Sequence, residues 1–137
     1  MDLSLQFSEI NWLSVIVAAL AAFGIGGFWY SPLMFSKVWQ KELKISDEDI
    51  KNANMGMIFG LAFILNLIAA TVLDMFIGRE SSLISGMLSG LIVSVAWIGT
   101  ALGINYLFGR KSFKLFLIDS GYFVSFFIVM GAILGAW

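Results

Sequence analysis

Neither cysteine nor histidine occurs in this chain. Without cysteine there are no disulfides, no thiolate metal sites and no thiol nucleophiles. Without histidine the commonest general base, the commonest metal ligand and the usual axial ligand of haem are gone as well. No catalytic residue, metal site or cofactor is assigned, and the chain reads as a non-enzyme. Charge is scarce too. Only 12 % of the 137 residues are Asp, Glu, Lys or Arg, with a net charge of −1, whereas soluble domains carry about 25 %. A near-neutral balance argues against nucleic acid, whose binders cluster Lys and Arg. Proline occurs once, at Pro32.

Apolar residues fill the space, making up 60 % of the chain. Four apolar stretches, about 10–31, 54–77, 83–108 and 115–137, contain two charged side chains between them, Asp74 and Asp119. A helix needs roughly 20 apolar residues to cross a bilayer core of about 30 Å. The pattern predicts an all-α fold: a four-transmembrane-helix bundle occupying residues 1–137 as one transmembrane domain. The first ten residues carry Asp2 and Glu9 but no Lys or Arg, which does not fit a cleavable signal.

The single proline sets the end of the first span at Tyr30-Ser31-Pro32. In the segment that follows, Phe35, Val38, Trp39 and Leu43 fall on one helical face and Lys37, Lys41 and Lys44 on another. This predicts a short amphipathic helix between spans one and two, lying in the cytoplasmic headgroup layer, with Lys37, Trp39 and Lys41 at the interface. Ser46-Asp47-Glu48-Asp49 looks like a capped helix start, with Asp47 placed to pair with Lys51 and the helix running on into span two. Loops 32–53 and 109–114 hold Lys37, Lys41, Lys44, Lys51, Arg110, Lys111 and Lys114, against Arg79 alone at the other end. Basic loops face the cytoplasm, so both termini are expected outside the inner (plasma) membrane.

Small residues recur at spacing four: Ala18, Ala22 and Gly26; Gly56 and Gly60; Gly86, Gly90 and Ser94, then Gly99 and Gly103; Gly131 and Gly135. Such stripes let helices approach closely in lipid. The long stripe of span three exceeds what one neighbour needs and predicts a homo-oligomer. Among polar residues inside the spans, Asp119 is the strongest site candidate, because intramembrane charges turn toward protein. Asn105, Tyr106, Trp29 and Tyr30 lie at similar depth, and a cluster of Asp119, Asn105, Tyr30 and Trp29 is predicted. Its structural reading, a lock on the ends of spans one, three and four, is favoured over a proton or substrate contact. Asp74, near Arg79, reads as exposed at the opposite interface. Asn66 reads as an interhelical contact.

The run Trp29-Tyr30-Ser31-Pro32-Leu33-Met34-Phe35-Ser36-Lys37-Val38-Trp39 resembles the signature of the domain of unknown function 1761 family of small bacterial integral membrane proteins. The acidic Ser46-Asp47-Glu48-Asp49 segment, Leu117-Ile118-Asp119-Ser120-Gly121-Tyr122 and the tryptophan near the end, Trp137, are similar to it as well. Ser36 stands where the pattern has glycine. The resemblance implies a four-helix membrane protein and no particular activity. The expected functions are an oligomer that conducts or transports a small solute or ion, or a structural or accessory subunit or lipid organiser. The expected partners are membrane lipid and further copies of the chain, with no nucleic acid.

Overall fold

Each long helix starts at a side-chain cap. In the computed structural model, which describes residues 2–137, Asp2 caps α1 (Leu3–Ser8) and Asn11 caps α2 (Trp12–Trp29), accepting from the Ser14 backbone N–H. After Pro32 come two short helices, α3 (Ser36–Leu43) and α4 (Asp47–Asn52). Span two is α5 (Met55–Ile77). Span three is α6 (Leu83–Val93), a wide π-helical turn over Ser94–Gly99, and α7 (Thr100–Phe108). Span four is α8 (Phe113–Ala136), capped by Ser112. There is no strand among the described residues, and the four spans are long and apolar enough to cross a membrane.

Two boundaries and one pairing differ from the sequence reading. The first span begins at Trp12 rather than near residue 10, because Glu9, Ile10 and Asn11 form a corner after the separate helix α1. The acidic helix does not run into span two: Ala53 is extended and Asn54 restarts the chain by accepting from the Met57 backbone N–H. Asp47 accepts from Gln40 Nε2 at 2.9 Å instead of pairing with Lys51, which ties α4 back to α3.

Span four lies at the centre and packs on the other three, while α5 and α6 meet only lightly. The core joins Val15, Ala18, Ala19 and Ala22 of α2, Ala70 and Leu73 of α5, and Phe126, Phe127, Met130 and Leu134 of α8. Elsewhere the faces turned outward are apolar: Leu13, Leu65, Ile84, Ile92 and Leu107 are all exposed. A surface of this kind suits hydrocarbon, not water.

The tightest seam joins spans three and four. A Cβ added at Gly86 would stand 2.0 Å from the Gly131 carbonyl oxygen, and one at Gly90 would stand 2.0 Å from that of Phe127. Only hydrogen on Cα lets these backbones touch, which also permits weak Cα–H···O contacts. The stripe of span three breaks spacing between Ser94 and Gly99, five residues apart instead of four. The π turn, with its i→i+5 bonding, absorbs the extra residue. Its loosened carbonyls are covered by Thr100 Oγ1, which donates to Ala96 and Trp97 at 2.7 and 3.0 Å. Gly86, Gly90 and Gly103 of this stripe face span four, whereas a Cβ at Gly99 would meet only the Ser94 carbonyl of its own span. Gly56 and Gly60, expected at a seam, are exposed instead. Trp97, on the π turn, is exposed and meets the Phe76 ring edge-on.

Candidate functional site: a buried carboxylate at the basic end

Pro32 ends α2, and the chain folds back so that the Phe35 N–H donates to the Trp29 carbonyl at 3.1 Å. This turn throws Trp29 and Tyr30 across the start of α8. The Trp29 indole N–H donates to the Ile118 carbonyl at 2.9 Å. The Tyr30 hydroxyl donates to Asp119 Oδ1 at 2.6 Å. Tyr106, from α7, donates its hydroxyl to Oδ2 of the same carboxylate. Asp119 is 8 % exposed and Tyr106 equally so, so both oxygens are paired inside protein.

Glycines make the fit. Gly121 lies under the Trp29 ring, where a Cβ would approach Cζ2 to 2.9 Å. Gly26 lies under the Tyr122 hydroxyl at the same separation. An aromatic shell closes around the carboxylate: Tyr30 packs on Tyr122 at 5.3 Å between centroids and on Trp39 at 5.7 Å, and Phe35 packs on Trp29 at 4.9 Å. Lys111 Nζ stands 4.7 Å from the centre of the Tyr106 ring, a cation–π contact that sets a positive charge behind one of the two donors. Lys37 and Lys41 are exposed on the far side of α3, while Trp39 is half-buried against Tyr30.

Of the four residues expected to cluster, Asp119 and Tyr30 are bonded directly, and Trp29 binds the neighbouring carbonyl. Asn105 is a correction. Successive helical residues are turned by about 100°, so Asn105 and Tyr106 cannot both face α8. Tyr106 takes that face, and Asn105 lines a lateral cleft of about 380 Å³ between α5, α7 and α8 together with Asn66, Ala69 and Phe127. Asn66 is buried there, with no side-chain hydrogen bond among the described residues. The missing member, Tyr106, was readable: it follows Gly103 by three residues, and Gly103 faces Phe116 of α8.

At the opposite end Arg79 does not serve Asp74. Its Nε and a terminal nitrogen donate to the Glu9 carbonyl at 3.1 and 2.6 Å, and the Glu9 carboxylate lies 3.8 Å away. Asp74 is half-buried rather than exposed.

Fold and site together define an all-α chain with four helices compatible with crossing a membrane, three of them joined at one end through a single carboxylate. The chain belongs to the family described as protein of unknown function DUF1761, whose model matches residues 13–135. That range includes both the Trp29-Tyr30-Ser31-Pro32 turn and the Asp119 segment that it grips. No curated protein and no solved structure matches the chain.

Proposed function

We propose that this chain is a multi-pass protein of the inner (plasma) membrane that works as a structural or accessory element of a membrane assembly and not as an enzyme. Its basic end faces the cytoplasm and both termini face outward. The observation that carries the reading is the pairing of Asp119. Both of its oxygens accept from phenols on two different helices, which leaves the deepest carboxylate joining helices rather than waiting for a substrate. The helix α3 fits the amphipathic interfacial role: Lys37 and Lys41 point away from the bundle toward lipid phosphate, and Trp39 turns inward. Extraction in a mild detergent followed by native mass measurement tests the proposal. The expected species is the chain with protein or lipid attached. A bare monomer would remove the accessory reading.

A second reading, conduction or transport by an oligomer, has one observation in its favour. The cleft between α5 and α7 places the amides of Asn66 and Asn105 in an otherwise apolar groove, and copies assembled through Gly56 and Gly60 would add walls to it. Flux into proteoliposomes is expected to fall in Asn66→Leu. Background flux in both wild type and variant would eliminate conduction.

A further inference from the structure

A second site lies at the opposite end of the bundle from Asp119. Here α1, the start of α2, the end of α5, the 78–81 turn and the end of α8 enclose a pocket of about 410 Å³, lined by Gln6, Glu9, Asp74, Arg79 and Trp137 among others. That volume suits a small molecule. The level is that of the helix ends, where lipid headgroups meet hydrocarbon.

The lining holds an acceptor that lacks a donor. Arg79 is committed to Glu9 by two hydrogen bonds to its carbonyl and by its carboxylate, so those two charges offset one another. Asp74 forms no salt bridge among the described residues; the Asn11 backbone N–H faces it, and the Arg79 guanidinium attracts it from beyond ion-pair distance. Gln6 Oε1 is buried and has no partner. The Ser14 hydroxyl already donates to the Asn11 carbonyl at 2.8 Å, which leaves it only lone pairs to offer. A buried amide oxygen without a donor is costly, and a carboxylate lining the same pocket favours a cation. Trp137 supplies an aromatic wall, which also favours a cation. A divalent metal fits poorly, since no group of three acidic, Cys or His side chains is assembled among the described residues.

We propose that this pocket binds a primary ammonium group, its N–H donors shared between the Asp74 carboxylate and Gln6 Oε1. Two sources carry that chemistry: the ethanolamine headgroup of a membrane lipid and a free organic amine. The site is independent of the Asp119 lock, and its failure would leave the accessory reading untouched.

The full chain in nanodiscs is to be titrated with free ethanolamine and, separately, equilibrated with vesicles of phosphatidylethanolamine or phosphatidylcholine before native mass measurement of retained lipid. Stabilisation by free ethanolamine alone assigns a soluble amine. Retention of phosphatidylethanolamine over phosphatidylcholine assigns the lipid. Either result supports the site. Asp74→Asn is expected to weaken binding about tenfold or more, the loss of a charge-assisted hydrogen bond. Gln6→Ala, on the peripheral helix α1, is expected to weaken it by a smaller factor, and it carries the test if Asp74→Asn does not fold. Equal retention of the two lipids with no response to ethanolamine would overturn the proposal. So would variants that bind as wild type does.

Discussion

Asp119 holds two phenols, and what its removal costs depends on which partner is left behind. Tyr106→Phe deletes one hydroxyl and leaves Oδ2 able to turn toward the interface. In membranes such interhelical bonds are worth about 0.6 kcal/mol and at most about 1.7, and a loss of about 1 kcal/mol is expected. Asp119→Ala leaves both hydroxyls without their shared acceptor, and an orphaned buried polar group costs about 1–3 kcal/mol. Thermal unfolding in detergent micelles should therefore rank Asp119→Ala well below Tyr106→Phe and Tyr30→Phe. If the alanine variant unfolds no earlier than either phenylalanine variant, the lock is not a lock. The same residues show how much of the site was legible in the sequence. Depth along a helix follows from counting residues, so Asp119, Asn105, Tyr106, Tyr30 and Trp29 could be grouped at one level. Facing does not follow from depth. The choice between Asn105 and Tyr106 needed the direction of the glycine stripe, and Gly103 pointed to Tyr106.

The helices are held less by polar groups than by the absence of side chains along one seam. Gly90 faces the Phe127 carbonyl so closely that a methyl group would stand 2.0 Å from its oxygen. Backbone cannot rotate away as a side chain does, so Gly90→Ala must push α6 off α8 at an expected cost of about 1–3 kcal/mol. Gly24, exposed inside α2 with nothing within 4 Å of an added Cβ, is the control: Gly24→Ala should be neutral or raise stability by up to about 1 kcal/mol through helix propensity. Equal loss in the two variants would mean that the seam is not where the close contact lies. Span lengths were legible because hydropathy fixes them. The π turn was written only as a five-residue step between Ser94 and Gly99, a signal that a uniform helix hides. Outside the four spans, the short helix α4 depends on pH. The Ser46 backbone N–H donates to Asp49 Oδ2 at 2.9 Å, which holds that carboxyl below the usual carboxylate range. A carboxyl lowered by folding stabilises above its unfolded pKa of about 3.9 and loses that contribution as pH falls through the lower folded value. The Ser46 amide proton resonance should move with a midpoint below that of a free aspartate, and Asp49→Asn should abolish the step.

At the scale of the molecule, the same end that gathers Tyr30, Tyr106 and Asp119 also gathers almost all of the basic residues. Lys37, Lys41, Lys44, Lys51, Arg110, Lys111 and Lys114 flank that end, and Arg79 stands alone at the other. The bias predicts one orientation in the bilayer, with residues 33–53 inside. Because the chain has no cysteine, single introduced cysteines report accessibility without background. In intact cells Glu80→Cys should react with a membrane-impermeant maleimide, and Glu48→Cys should react only after the membrane is opened. Reversed labelling would invert the topology and move the Asp119 lock to the outer leaflet. The charge bias is also redundant. Neutralising Lys37, Lys41 and Lys44 together leaves Lys51, Arg110, Lys111 and Lys114 against Arg79, so the labelling pattern should persist. In the proposed orientation those three lysines would instead attract α3 to anionic lipid, about 1 kcal/mol each near a charged surface. Their neutralisation should leave the Glu80→Cys and Glu48→Cys pattern intact while increasing solvent exposure of Trp39, read as a red shift in the part of the fluorescence that Trp39→Phe removes.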